Sequence, residues 1–496
     1  MQISTLSQSL ALRSSINSMR AQFDDLQRQL ATGLKADSYA KLGTDRNMVL
    51  SLSHQLSQLQ TYTKTISQTQ MRVEVSSDAL TRVAQIAASM KTTNLTTGFD
   101  LVNGTQTGAQ VTAAMQFDEV INLLNLQIED RYLFGGRDTQ TRPVALPDAM
   151  LNGTGDQAGL KQFIDERAQA DLGVDGRGRL DLDLTGATVT LAEDAAPSVF
   201  GFKLDGVAST LTSATVSGPA GAPAEIEVDF TGVPLAGEEV TLDLTLPDGT
   251  TTRVTLTATS DNPPAAGQFT IGPDAATTAA NFQAALDTAL QSEANTRLRA
   301  ASAVEAANNF FDYANGGVPQ RVDGPPFGTA TALRDATDAD TVFWYSGDQT
   351  GVAGNNMIAK IDDGRQLAYG ARADQAAIRD TLKAAALMSA VEYTGADPEE
   401  LHSYKALTQR LGTVLNFEGT PSVESIVTGL GLTVATLANT QDRHDTMMAT
   451  ANEILGDIQN ADAYEVGVKL TTLQTQLEAS YQVTSMLSRM SLVNYL

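Results

Sequence analysis

Leu12, Ile16, Met19, Phe23, Leu26 and Leu30 recur at intervals of four, three, four, three and four residues, with mostly polar side chains between them. That spacing keeps one stripe of an α-helix apolar. It predicts a helix with a heptad seam, broken by Gly33 and Gly43 in "ATGLKADSYAKLGTD". A second seam of Leu52, Leu56, Leu59, Ile66, Val73 and Leu80 predicts a helix from near Asn47 to near Thr93. Such a helix spans about 70 Å, far longer than a typical globular helix, and reads as a rod element. After the turn "TTGFDLVNGTQTG", the residues Ala114, Phe117, Ile121, Leu124 and Ile128 predict a third helix running to "RYLFGGRD".

The pattern then changes period. "VTLDLTL" and "TRVTLTA" alternate apolar and polar residues around "PDGTT", the signature of a β-hairpin. "RLDLDL", "ATVTL" and "EIEVDF" predict further strands, and "TAANFQAALDTALQSEANTRL" a helix among them, so one or two β-rich modules are expected. Helical spacing returns near Asp374. Leu401, Tyr404, Leu407, Leu411 and Leu415 form one face, and Val423, Ile426, Leu430 and Leu437 begin another. The last seam is Val466, Leu470, Leu473, Leu477 and Tyr481, extended by Leu487 and Met490, and it continues to Leu496 with no polar tail.

Proline and charge divide the chain at the same places. Thirteen of the fifteen prolines lie between Pro143 and Pro326, where they favour turns and strand edges over long helices. Residues 143–350 carry 29 acidic and 10 basic side chains, a net −19 within a total of −25. The expected fold class is therefore α+β: an antiparallel, coiled-coil-like rod of long helices formed by both chain termini, with a β-rich domain inserted in the middle. The expected domains are a helical half at 1–142, an acidic β-rich domain at 143–350 and a second helical half at 351–496.

Composition narrows the function. A net charge of −25 argues against a nucleic-acid-coating protein, which needs a basic face. Cysteine is absent, so disulfides and thiolate metal sites are excluded. The N-terminus lacks the basic and apolar regions of a cleaved signal peptide, and no apolar run is long enough to insert in a membrane. His54, His402 and His444 have no metal-ligand spacing and read as ordinary surface or helix-face residues. "GTGDQAG" lacks the lysine of a phosphate loop, and "DATDAD" lacks the glycine and closing glutamate of a calcium loop. Trp344 in "FWYSGD" reads as a core anchor beneath the β module. No catalytic, cofactor-binding or metal-binding constellation emerges, so neither an enzyme nor a cofactor is expected.

Four stretches carry a resemblance. "LQRQLATGLKADSYAKLGTDRNMVLSLSHQLSQL", "LNLQIEDRYLFGGRDTQTRPV", "IDDGRQLAYGARADQAAIRD" and "QTQLEASYQVTSMLSRMSLVNYL" resemble the helical ends of the bacterial flagellin superfamily. The second and third resemble the exit to, and re-entry from, an outer domain. Within the superfamily the "YLFGG", "DGRQLAYG" and "SLVNYL" stretches are most similar to hook–filament junction proteins, with filament flagellin as the alternative. The loop after Gly33 lacks the "DDP" run common in flagellins, and the central zone is enlarged. The resemblance implies a non-enzymatic, self-assembling component of the extracellular flagellum, exported through the flagellar type III apparatus. The partners it implies are copies of itself in a ring or helical layer, the hook or a second junction protein, flagellin and an export chaperone; neither nucleic acid nor a membrane is among them.

On this reading Tyr132, Leu133, Phe134, Gly135 and Gly136 form the domain-exit motif. Leu6, Leu10, Ile16, Met19, Phe23 and Leu26 at one end, with Leu470, Leu473, Leu477, Tyr481, Leu487, Leu492 and Leu496 at the other, form the expected assembly interface.

Overall fold

A computed structural model of the protein describes residues 2–96, 98–195, 198–313, 317–354 and 357–493. Long terminal helices flank a central β-rich region. In chain order come α1 (Gln2–Thr32), α2 (Arg46–Thr96), α3 (Gly108–Leu124), the short strands β1 (Gln127–Ile128) and β2 (Arg131–Tyr132), α4 (Pro147–Asn152) and α5 (Leu160–Leu172). Strands follow: β3 (Leu180–Thr185), β4 (Thr188–Glu193), β5 (Lys203–Ser209), β6 (Ala214–Ala220), β7 (Glu225–Phe230), β8 (Glu239–Thr245), β9 (Thr251–Thr259) and β10 (Gln268–Thr270). Next are α6 (Ala275–Glu293), α7 (Arg299–Phe311), β11 (Gln320–Val322), β12 (Leu333–Asp335), β13 (Met357–Asp362) and β14 (Arg365–Tyr369). The chain ends in α8 (Ala376–Ala390), α9 (Glu400–Val414), α10 (Val423–Gln459) and α11 (Ala463–Val493).

The chain divides into two compact units. One comprises Met1–Thr69, Lys360–Gln366 and Ala435–Leu496. Within it α1 and α11 run in opposite directions. Lys35 N–H donates to the Gln459 carbonyl at 2.7 Å and Ala461 N–H to the Gly33 carbonyl at 2.8 Å, while Arg20 Nε donates to the Tyr481 hydroxyl at 2.6 Å further along. The start of α2 packs Val49 and Leu56 against Ala451 and Leu455 of α10.

The other unit comprises Gln70–Ala359 and Leu367–Val434 and holds two large cores. In the first, Val73, Leu80 and Val83 of α2 meet α3, α5, α7, α8 and α9 around Phe117, Phe310 and Leu382. Thr107 starts α3 with a capping box: its hydroxyl accepts from Gln110 N–H, and the Gln110 side chain accepts from Thr107 N–H. The second core lies among the β3-β4-β7-β6 and β10-β9-β8-β5 sheets and α6. Val240, Leu242 and Leu244 of β8 and Val254, Leu256 and Ala258 of β9 point into it, as their period-two alternation requires. Phe230, Phe269 and Phe282 meet there at ring separations of 5.3–6.3 Å. A single core thus serves the two sheets as one module.

Three expectations change. The third helix stops at Leu124, and Ile128 lies in β1 rather than on its face. Glu129 and Asp130 adopt the left-handed region (φ 52° and 58°), turning the chain into a tight hairpin that no helix can cross. The middle zone is less purely β than its alternation implies, because α5 and α7 lie within it and complete the helical core. Trp344 is an anchor, but of that helical core and not of the β module. It is fully buried, packs against Phe311 and donates its indole N–H to the Phe311 carbonyl at 3.1 Å.

The turn between β8 and β9 is tied to the helical part of its unit by a charge pair. Arg410 of α9 donates to Asp248 at 2.6 Å and to the Thr250 hydroxyl at 2.9 Å, with both charged side chains largely buried. A guanidinium placed there requires its carboxylate, since a buried unpaired charge costs about 3–5 kcal/mol.

Candidate assembly surface

The terminal helices separate the predicted interface residues into two sets. Ile16, Leu473 and Leu477 are 8–9% exposed, and Met19, Phe23, Leu26 and Leu470 are half-buried. The pairing of α1 with α11 within the chain covers much of this face. Leu10, Tyr481 and Leu487 remain 57%, 40% and 50% exposed. Leu6 and Leu492 fall in α1 and α11, but their side chains, and the whole of Leu496, lie outside the described residues. Val468, Val483 and Met486 add exposed apolar area that the seam count missed. They sit off the inward stripe of Val466, Leu473 and Leu477, on parts of α11 with few charged residues. Apolar side chains at this density on one helix mark a contact surface more often than a solvated face.

The exit and re-entry motifs meet in space. Gly135 and Arg372 form a β-bridge, Ala373 N–H donates to the Phe134 carbonyl at 3.0 Å, and Asp348 N–H donates to the Gly135 carbonyl at 2.9 Å. Leu133 and Phe134 are buried in the helical core, and Tyr132 is half-buried at its edge. The two glycines serve different needs. Gly136 adopts φ +66°, whereas at Gly135 any Cβ would overlap the Asp138 carbonyl oxygen. Arg372 fixes the returning strand by a two-pronged pair with Asp374 at 2.8 and 2.6 Å and a bond to the Thr350 carbonyl at 2.8 Å. Burial opposes the Arg372 charge, but the Asp374 carboxylate outweighs it and raises the guanidinium pKa above its ordinary value.

The tip of the β13–β14 hairpin holds a further cluster. Asp362 accepts from Arg443 at 2.6 Å and lies 3.6 Å from His444 Nε2, and the Tyr62 ring sits 5.9 Å from the imidazole. Lys360 lies 5.6 Å from the centre of the Tyr62 ring. Burial disfavours the Asp362 charge, yet the Asp363 N–H and the adjacent His444 and Arg443 side chains prevail and hold its carboxyl below the usual range.

His444 is fully buried on one face of α10, which corrects its reading as a surface residue and keeps that of a helix-face one. The signal was present: Val423, Leu430, Leu437, His444 and Ala451 recur every seven residues, and each is buried. His54 and His402 are both exposed, as read. Among the described residues no cluster of metal-ligating side chains occurs, and no helix is long and apolar enough to cross a membrane.

Residues 3–139 match the model of the bacterial flagellin N-terminal helical region, and residues 419–496 match that of the bacterial flagellin C-terminal helical region. No match is found among curated proteins. The paired matches support the flagellin superfamily and a structural flagellar role, with the exit motif inside the first matched span and α11 inside the second.

Two outcomes follow from this geometry. Gly135→Ala is expected to lower stability by about 2 kcal/mol through overlap with a backbone carbonyl, read as a reduced urea midpoint; a wild-type midpoint would contradict the crossing. A carboxyl with a depressed folded pKa stabilises above its unfolded value of about 3.9 and loses that contribution as pH falls through the lower folded value. Between about pH 5 and pH 2, wild type should therefore lose more stability than Asp362→Asn. Equal acid dependence in the two would show that the hairpin cluster contributes nothing.

Proposed function

We propose that this protein is a structural component of the bacterial flagellum that joins hook to filament, assembling through its terminal helices. The pairing of two flagellin-like ends supports this most directly, because it leaves Leu10, Met486 and Leu487 exposed on the same helix pair. A lone subunit has nothing to cover those side chains, and a neighbouring copy with the same helices supplies a matching apolar face. In this reading the predicted interface, from Leu6 to Leu26 and from Leu470 to Leu496, is shared between Leu473 and Leu477 inside the chain and the exposed residues between copies. Residues 1–142 and 351–496 form the antiparallel rod, and residues 143–350 form an outer domain whose negative charge keeps an assembled surface soluble. The chain leaves the cell by the flagellar export route with a chaperone, and its neighbours are its own copies, the hook or a second junction protein, and flagellin. The chemistry is assembly, not catalysis.

Filament flagellin is the second reading, favoured by matched regions that are both described as flagellin helical regions. Behaviour separates the two. Seeded with filament fragments, a filament subunit grows long polymers, whereas a junction subunit stops at a short layer.

Deleting residues 482–496 is expected to leave thermal unfolding of the β module unchanged and to abolish assembly in sedimentation. Leu477→Asp should weaken both the α1–α11 pair and assembly, since it places a charge on a buried stripe. Assembly of the truncated chain at the wild-type level would overturn the role assigned to α11.

A further inference from the structure

We infer that a groove between the end of α2 and α9 docks an acidic segment of a second copy of this chain, an inference that rests on the self-assembly proposed above. The groove encloses about 450 Å³. Phe99, Leu401 and Tyr404 form its apolar part, with the Phe99 and Tyr404 rings 5.4 Å apart. Lys91 and Lys405 line it together, Lys91 steadied by a bond to the Asn416 side-chain oxygen and Lys405 exposed.

No carboxylate lines the groove among the described residues. That is unusual in a chain with 58 acidic and 33 basic residues. Other recesses of the same unit carry their own acids, Glu293 and Glu399 in one and Asp312, Asp380 and Glu418 in another, and so neutralise their cations internally. Here no described lining residue is acidic, and Asp100 beside Gly98 is a single carboxylate against two lysines, so the groove has cationic charge left for a partner.

Copies of a chain at −25 repel each other, so close approach favours the places where one copy offers uncompensated cations to the acids of the next. The apolar part adds contact area beneath the charges, which suits a peptide segment better than a free anion. A lysine pair open to solvent at Lys405 is screened by salt over a Debye length of about 8 Å at physiological ionic strength, so this contact weakens as salt rises.

The test mixes full-length protein grown on ¹⁴N and ¹⁵N, allows assembly, and joins contacting lysines and carboxylates with a zero-length carbodiimide cross-linker before mass spectrometry. The expected result is mixed-label links from Lys91 or Lys405 to acidic peptides in the assembled fraction and none in the unassembled one. In parallel, Lys405→Glu should assemble about tenfold more slowly while Lys405→Arg assembles as wild type. Same-label links alone at these lysines, with mixed-label links elsewhere, would overturn the groove contact and leave the assembly reading standing. Equal rates for wild type and Lys405→Glu would overturn it likewise. Absence of any assembly or mixed-label link would overturn the assembly reading and this inference with it.

Discussion

The chain passes Phe134–Gly135 before the inserted segment and Arg372–Asp374 after it, and these two points are bonded to each other. Everything between them is thereby an excursion whose two ends are held at one place. The excursion can lengthen or change its strands without moving α3 or α8, because loop length adds closure cost only slowly once the ends are fixed. The crossing needs a residue without a side chain at Gly135 and a buried cation with a partner at Arg372. Neither requirement has a cheap substitute, since a Cβ meets a backbone oxygen and an unpaired guanidinium would be stranded away from water.

The same rule of paired buried charge recurs through that unit. Arg321 pairs with Glu166, Arg167 with Asp171, Lys383 with Asp312 and Asp380, and Arg410 with Asp248, and most of these side chains are nearly inaccessible. A strongly acidic chain has few cations to spend, and many of them sit at such joints. Geometry is what these pairs supply: Arg321–Glu166, Lys383–Asp312 and Arg410–Asp248 each tie one element to another at a defined point, while the aromatic and aliphatic cores supply most of the burial. Where cations lie in a recess without acids, as at Lys91 and Lys405, the arrangement departs from this rule.

Much of the fold was legible because period and punctuation agreed. The seam from Leu12 to Leu30 and that from Leu52 to Leu80 gave α1 and α2 to within a few residues at most ends, and strict alternation located β8 and β9. Two of the misses depend on contacts distant in sequence, while the early end of α3 comes from the local turn at Glu129 and Asp130. α5 and α7 lie in a proline-rich acidic zone but complete a core whose other walls come from both ends of the chain. Trp344 joins that core for the same reason. His444 is readable from the seven-residue repeat, although a polar side chain does not mark a seam by hydrophobicity alone. Of the assembly surface, the seam count identified the helices but not which face each buries at home; that division required the α1–α11 pairing to separate Leu473 and Leu477 from Leu10 and Leu487.

The central claim is that α1 and α11 offer an incomplete apolar surface that neighbouring copies complete. Hydrogen exchange of the full-length protein, before and after assembly, measures this directly. The account predicts that amides of residues 7–20 and 478–493 exchange at least about tenfold more slowly once assembled, while those of the β-rich module keep their rates. Unchanged exchange at both helices in a protein that has demonstrably assembled would contradict it.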